Sequence, residues 1–165
     1  MAWTYEIDPA YNAHGEVPPE AIIAGAPCDD DGNIVGPWQQ NPNYRPSVLA
    51  KLLKKLPSDE FLLAFGEYLR GEMPTDRFTD LFHRTEFEVL SNNARNALLQ
   101  VDEGSGATYS IYTTLELFQG QAPPSTVRLS GSKIATLAQG CEGLLVNRFE
   151  GGALWLPLAD VRRGS

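Results

Sequence analysis

The chain has 165 residues, a length typical of one domain with an appendage, and 42% of them are hydrophobic, which is enough to form a core. A formal net charge of −8, from 21 acidic and 13 basic residues, speaks against nucleic acid as a partner, because phosphate binding needs basic side chains. No apolar run approaches the roughly 20 residues of a membrane-spanning helix, and the N-terminus lacks the pattern of a secretory signal. We therefore expect a cytoplasmic protein without membrane insertion.

The charge is unevenly distributed along the chain. Residues 1–45 hold seven acidic residues and one basic residue, a net charge of −6, whereas the remaining residues have a net charge of −2. We predict an N-terminal acidic leader and hairpin module over 1–46, followed by an α+β domain over 47–165. Such an acidic segment can steer the protein towards a basic partner, or it can serve solubility alone, and both interpretations stay open.

The first third of the chain predicts a leader followed by a β-hairpin. Residues 1–19 hold scattered prolines and a glycine, which indicate irregular structure. A short apolar strand is predicted at 21–26 and an aspartate-rich turn at 29–33. The return strand, 34–40, is broken by Pro37, which is typical of an edge strand or a bulge because proline cannot donate a ladder hydrogen bond.

Three short helices are predicted after a non-helical connector at 41–46. Apolar residues recur at helical spacing in this region, and Pro57 and Gly71 are typical of helix ends. The predicted helices run over 47–56, over 58–70 and over a short segment from 75, with Ser47, Ser58 and Thr75 as N-caps.

Alternating and apolar segments after residue 84 predict a mostly β region. The predicted strands are 86–90, 97–101, 108–112, 125–129, 144–147 and 153–156, with a turn at 102–106 and short helices at 115–118, 132–139 and 159–163. Helices first and strands afterwards indicate an α+β fold. We therefore predict an N-terminal β-hairpin module and short helices packed on a mixed sheet of about five to six strands.

Residues suited to catalysis or metal binding are few. The two histidines, His14 and His83, belong to no metalloprotease, hydrolase or nucleotide-binding motif. The cysteines, Cys28 and Cys141, lie outside any metal-ligand spacing, and a nucleophilic pair of Cys141 with a distant histidine has no sequence support. The turn at 29–33 lacks the alternating ligands and closing glutamate of a calcium loop. We therefore expect no catalytic, cofactor-binding or metal-binding residues and no enzyme activity.

One group of residues has the composition of a binding interface. Trp38, Tyr44 and Arg45 lie among three prolines beside the predicted edge strand. Tryptophan, tyrosine and arginine dominate the hot spots of protein–protein interfaces, and prolines would hold such a loop rigid. We predict that these three residues bind a protein partner. The alternative is that Trp38 and Tyr44 pin the hairpin onto the rest of the protein.

The N-terminal third resembles a segment of bacterial type VII secretion system-associated proteins. The resemblance lies in PPE at residues 18–20, DGNIVGPW at 31–38 and, most specifically, NPNYRPS at 41–47. The chain departs from that pattern at Ala26 and Pro27, where an aromatic residue is expected.

Residues 59–161 are similar to the SseB-like (enhanced serine sensitivity) domain in their order of elements. The motifs are YSIYTTLE at 109–116 and LLVN at 144–147, after which Arg148 replaces the proline of the family pattern. Together the two resemblances imply a non-enzymatic accessory or adaptor protein that binds a component of type VII secretion. Two alternatives remain: a small-molecule-binding domain or enzyme with a pocket between sheet and helices, and a homodimer formed through the edge strand.

Overall fold

Three β-sheets and four α-helices are present in the residues that the computed structural model describes, 1–102 and 106–163. The first sheet is formed wholly by residues before 47, and the other two are formed by residues after 84. We call residues 1–46 the N-terminal module and the residues from 47 onward the body. The architecture confirms the predicted α+β fold with a hairpin module and a mixed sheet.

The module sheet contains one strand more than predicted. Its strands are β1 (Ala2–Ile7), β2 (Ile22–Cys28) and β3 (Gln39–Gln40), in the antiparallel order β1-β2-β3. The prediction of an irregular leader over 1–19 is therefore wrong at its start. Trp3, Tyr5 and Ile7 alternate along β1 and have high β propensity, and the residues that break regular structure all come after the strand ends.

The predicted hairpin is present, and its acidic turn is stabilised by its own side chains. The Asp29 carboxylate accepts hydrogen bonds from the backbone N–H of Asp31 at 3.0 Å and of Asn33 at 2.8 Å, and Gly32 adopts a positive φ of 84°. After the turn, Ile34 forms an isolated bridge with Cys28. The ladder is then interrupted around the proline and resumes only at β3, so the return strand is broken as predicted.

The three predicted helices are all present. Ser47 caps the first, because its Oγ accepts a hydrogen bond from the N–H of Ala50 at 3.0 Å. None of the helices in the described residues is both long and apolar enough to cross a membrane. The helices are α1 (Val48–Lys55), α2 (Glu60–Leu69) and α3 (Thr75–Arg84).

Two of the predicted N-caps are displaced by one residue. Helix α2 is capped by Asp59 rather than Ser58, and the Asp59 Oδ1 accepts from the N–H of Leu62 at 2.9 Å. A carboxylate is favoured here because its charge also interacts with the positive end of the helix dipole. Thr75 is the first residue of α3, and Pro74 occupies the cap position without a side-chain hydrogen bond.

The body contains a five-stranded mixed sheet with the strand order β10-β9-β7-β4-β8. All neighbouring strands in it are antiparallel except β7 and β9, which are parallel. A separate two-stranded sheet pairs β5 with β6, and α4 (Gly131–Leu137) follows β8. The strands are β4 (Glu86–Leu90), β5 (Gln100–Asp102), β6 (Gly106–Thr108), β7 (Ser110–Tyr112), β8 (Thr126–Ser130), β9 (Gly143–Phe149) and β10 (Gly152–Pro157).

Several predicted boundaries in the body shift. The strand expected at 108–112 is divided at Tyr109 into β6 and β7. The carbonyl of Tyr109 accepts a hydrogen bond from the N–H of Leu145 on β9. The strand expected at 97–101 begins only at Gln100. Helix α4 starts one residue early because Ser130 caps it. The centre of the turn expected at 102–106 lies outside the described residues.

One core joins the helices of the body to its sheet. Phe61 contacts the ring of Phe87 edge-on, with the ring centroids 5.0 Å apart, and so connects α2 to β4. Alternate positions of the sheet point into the same cluster, so the space between helices and sheet is filled by side chains. The largest fully buried members include Phe65, Phe78, Phe82, Phe87, Leu52, Leu62, Ile111, Leu144 and Leu156.

Candidate functional site

Aromatic side chains are distributed differently in the two parts of the molecule. All three tryptophans are more than a third exposed, at 41% for Trp3, 45% for Trp38 and 37% for Trp155. Five of the seven phenylalanines, in contrast, are buried in the body. Two of the tryptophans lie in the acidic module, together with Tyr5, which is 52% exposed. The module therefore presents to solvent the residue types that dominate protein interfaces.

The rings of Trp3 and Tyr5 lie on one face of the module sheet. Tyr5 is paired with Gly25 and Trp3 with Pro27 on the neighbouring strand. A Cβ atom at Gly25 would lie 3.1 Å from Cδ1 and Cε1 of Tyr5 and 3.4 Å from Cε3 of Trp3. The absence of a side chain at Gly25 thus allows both rings to approach the backbone of β2, which places two aromatic rings on this face.

The opposite set of side chains on β2 is small and buried. Ala24, Ala26 and Cys28 alternate with Gly25 and Pro27 along the strand, and each of the three is less than a tenth exposed. The module sheet therefore has an inner face of small residues and an outer face with aromatic rings. We call Trp3, Tyr5 and Trp38 the exposed aromatic residues of the module.

The three residues predicted to bind a partner have different environments. Trp38 lies in the interrupted part of the hairpin just before β3 and is exposed. Arg45 is exposed, and its backbone N–H donates to the carbonyl of Glu20 at 2.8 Å. Arg45 and Tyr44 line a groove of about 490 Å³. The other residues that line this groove are Pro19, Glu20, Pro42 and Asn43.

Tyr44 forms part of a polar joint between the module and the body. Its hydroxyl donates to Oδ2 of Asp8 at 2.9 Å. Asp8, which is fully buried, also accepts from the N–H and the Oγ–H of Ser47, at 2.9 and 2.6 Å, and from the N–H of Ala10 at 3.0 Å. Since Ser47 caps α1, the carboxylate connects the end of β1 to the first helix of the body.

The joint contains a charged carboxylate. Burial on its own raises the pKa of Asp8, but the hydrogen bonds from Ser47, Ala10 and Tyr44 outweigh that effect and hold the pKa below its usual value. The pKa of Tyr44 is raised by burial, by its hydrogen bond to Asp8 and by nearby negative charge. Asp8 was missed at the sequence level. The signal that could have identified it is an acidic residue directly after an alternating strand.

A second set of contacts strengthens the same joint. The Arg70 guanidinium donates to the carbonyl of Pro9 at 2.7 Å, and the side-chain amide of Asn12 donates to the carbonyl of Arg70 at 2.6 Å. Arg70 also forms an ion pair with Glu72 at 2.9 Å. The residues that follow β1 are therefore attached to the end of α2 as well as to the start of α1.

Potential catalytic residues have structural contacts. The His83 ring contacts Oγ of Ser132 at 3.0 Å and the carbonyl of Val161 at 2.6 Å, so it connects α3, α4 and the C-terminal segment. Both cysteines are buried free thiols, and burial raises the pKa of Cys141. Among residues 1–102 and 106–163, no group of three or more histidine, cysteine, aspartate or glutamate side chains is arranged to hold a metal ion.

A small cleft lies at the end of α1, outside the filled core. Its volume is about 250 Å³, below the roughly 300–1,000 Å³ of ordinary small-molecule sites. The Lys55 ammonium lies 5.8 Å from the ring centroid of Phe149 there. The residues that line the cleft are Lys55, Leu117, Phe118, Gln119, Gln121, Phe149, Glu150 and Gly151.

The chain was compared with protein-family models, with curated proteins and with solved structures, and nothing matches it. The resemblance to type VII secretion-associated proteins and to the SseB-like domain therefore stays a prediction. Residues of the NPNYRPS segment do have a defined structural role. Asn41 donates to the carbonyls of Pro19 and Ile22, and Tyr44 and Ser47 bind Asp8.

Proposed function

We propose that this protein is a non-enzymatic accessory protein that binds a protein partner through the outer surface of its N-terminal module. The observation that carries the proposal is the exposure of Trp3, Tyr5 and Trp38 on an acidic module whose buried residues are small. Large aromatic side chains are normally placed in a core or an interface. The core of this protein is formed by phenylalanines and aliphatic residues of the body, so these aromatics are available for an interface.

Charge favours a basic partner. The module has a net charge of −6 through residue 45, and Asp30 and Asp31 lie at the exposed tip of its hairpin. Opposite charges increase the rate of association and fix the orientation of the two proteins, whereas the aromatic residues supply the buried area. We propose that the two proteins bind in the cytosol. The sequence resemblance suggests a component of a type VII secretion system as the partner.

Affinity capture from the cytosol of the native host tests this proposal. The wild-type protein is compared with Trp3→Ala/Trp38→Ala, and the captured proteins are identified by mass spectrometry. We expect one set of proteins to be enriched by the wild type and lost with the double variant, with secretion-system components among them.

Trp155→Ala is the matched control. Trp155 is exposed to a similar extent, at 37%, but lies on β10 of the body. We expect this variant to capture the same proteins as the wild type. Equal loss with Trp155→Ala, or equal capture by all three proteins, would contradict a binding surface on the module. Enrichment of proteins unrelated to secretion would leave the binding function in place and exclude the proposed pathway.

A small-molecule function is the second candidate, and the cleft between Lys55 and Phe149 supports it. A ligand with an anionic group and a small apolar part would fit a lysine beside aromatic rings. Screening of such compounds by thermal shift, with Lys55→Met as the control, tests this idea. Stabilisation of the wild type but not of the variant would favour it over the protein-binding proposal.

A further inference from the structure

We propose that the free edge of β1 accepts an extended, basic segment of the partner as an additional β-strand. This inference rests on the proposed protein-binding function and specifies how the partner is recognised. Strand addition uses main-chain hydrogen bonds for affinity and side-chain pockets on alternate residues for specificity.

Strand β1 lies at an edge of its sheet. In the order β1-β2-β3 it pairs with β2 on one side, and within the described residues no strand pairs with its other side. Trp3, Tyr5 and Glu6 are exposed, as expected for an uncovered edge. Natural proteins protect such edges with prolines, inward-pointing charges or very short strands. This edge has six residues and a single charged one, Glu6.

The hydrogen bonds of the hairpin reveal which backbone groups of β1 point outward. The carbonyls of Ile23 and Pro27 accept from the N–H groups of Asn41 and Val35, so both point away from β1. Backbone groups alternate in direction along a strand. Those of Ala24 and Ala26, between these two positions, therefore point towards β1.

The partners of these two alanines on β1 are Glu6 and Thr4. Their backbone groups complete the ladder with β2. The N–H and C=O groups of Trp3 and Tyr5 consequently point to the free edge. The same two residues carry the exposed rings beside Gly25. An added strand would thus pair with their backbone and place its own side chains next to the two rings.

The negative charge of the module favours a basic segment over a second copy of the chain as the added strand. Arginine or lysine side chains opposite Trp3 and Tyr5 would lie near aromatic faces, where cation–π attraction is favourable. The alternate side chains would face the side of Glu6, and the whole module has a net charge of −6 through residue 45. A second copy of the chain would instead bring two such modules together, and like charges would oppose the pairing.

The probe is a capped peptide of alternating arginine and valine, about eight residues long, which matches the length of a typical strand. Binding to the full-length protein is followed by amide NMR spectra and amide hydrogen exchange. We expect the exchange of the Trp3 and Tyr5 amides to slow when the peptide is added. The same peptide with N-methyl groups on alternate residues should not bind, and added salt should weaken binding of the unmodified peptide.

Two substitutions at one position separate backbone from side chain. Trp3→Ala removes the ring and keeps the backbone N–H that points to the free edge. Trp3→Pro removes the ring and this N–H, and it leaves the hydrogen bonds between β1 and β2 in place. We expect Trp3→Pro to bind the peptide about fivefold more weakly than Trp3→Ala, which corresponds to one lost hydrogen bond. Both variants should retain the NMR spectrum of the folded body.

Three results would overturn strand addition: no binding of the arginine–valine peptide, equal binding of the N-methylated peptide, or perturbation confined to the groove at 42–45. A doubled mass in light scattering without peptide would instead identify a second copy as the occupant. Failure here is distinguishable from failure of the proposed function. If only strand addition fails, capture of partner proteins would still depend on the exposed tryptophans. If the proposed function fails, capture would not depend on them.

Discussion

The module and the body are stabilised by different interactions. The largest fully buried side chains of the described residues all lie in the body, where aromatic and aliphatic residues fill one core. The buried residues of the module sheet are small, and the tryptophans of the module are exposed. The module gains its order from backbone ladders, from the turn around Asp29 and from the joint at Asp8.

This difference has a consequence for function. Burial of large apolar side chains is the main source of folding free energy, and the body contains nearly all of it. The module can therefore place its large aromatic residues on the surface without loss of the core. Substitutions in the buried core of the body should destabilise the protein, whereas those on the outer face of the module should affect binding alone.

The largest effect is expected at the centre of the core. Phe82 is fully buried, and its ring lies 5.4 Å from that of Phe87. Phe82→Ala should reduce the free energy of unfolding by about 3–5 kcal/mol, because it removes buried area and leaves a cavity. Thermal denaturation followed by circular dichroism measures this loss. A change below about 1 kcal/mol would show that the body core is not the main source of stability.

A smaller and more local effect is expected at the joint. Asp8→Ala leaves the hydrogen-bond donors of Ser47 and Tyr44 without their acceptor, which should cost about 1–3 kcal/mol. We expect faster hydrogen exchange in β1 and at the start of α1, with the core of the body unchanged. Tyr44→Phe is the matched control, because it removes one of these hydrogen bonds and keeps the carboxylate. Uniformly faster exchange across the body would contradict a local joint.

The joint should also respond to acid. The pKa of Asp8 in the folded protein lies below its ordinary value of 3.8. Its contribution to stability is therefore complete above that value and is lost as the pH falls through the lower, folded pKa. We expect acid to destabilise the wild type more than Asp8→Asn over this range, as measured by chemical denaturation. Parallel acid dependence of the two proteins would contradict the assignment.

Glycines in the two regions should differ in their tolerance of a methyl group. At Gly25 the new Cβ meets the ring of Tyr5 at 3.1 Å, and this exposed side chain can move aside. Gly25→Ala should therefore change stability by less than about 1 kcal/mol and weaken partner binding. At Gly131 the Cβ would lie 1.8 Å from the carbonyl oxygen of Phe82, which cannot move without its helix. Gly131→Ala should therefore reduce the free energy of unfolding much more than Gly25→Ala does.

The smallest effect on stability is expected for the exposed residues of the module. Trp38→Ala and Arg45→Ala should each leave the midpoint of thermal unfolding nearly unchanged, because surface substitutions usually alter stability by less than about 0.5 kcal/mol. Binding of the captured partner to each variant is measured by isothermal titration calorimetry. Weaker binding without loss of stability would assign these residues to the interface. A lower melting temperature for Trp38→Ala would favour the pinning interpretation.

Local patterns predicted much of the fold. Leucine and phenylalanine spacing identified the helices, and alternation identified most strands of the body sheet. The N-cap of α2 was misplaced because Ser58 and Asp59 are adjacent and both can cap. Strand β1 was missed because its rings are exposed and its pairing with β2 depends on residues about 20 positions away.

The candidate site was less predictable from the sequence. Trp38, Tyr44 and Arg45 were predicted by residue type as one binding group, but the sequence could not show that Tyr44 binds a buried carboxylate 36 residues earlier in the chain. The local signal of Asp8 is an acidic residue directly after an alternating strand, but its partners Tyr44 and Ser47 lie 36 and 39 positions later in the chain. The role of Trp3 and Tyr5 depends on Gly25, which faces them only once the strands have paired.

Amide hydrogen exchange of the protein, alone and in complex with its captured partner, shows whether the partner binds to the N-terminal module. We expect new protection in β1 and in residues 34–45, with the body sheet and the exposed leucines at 98 and 99 unchanged. Protection confined to the body, with the module exchanging as in the free protein, would contradict binding through the module.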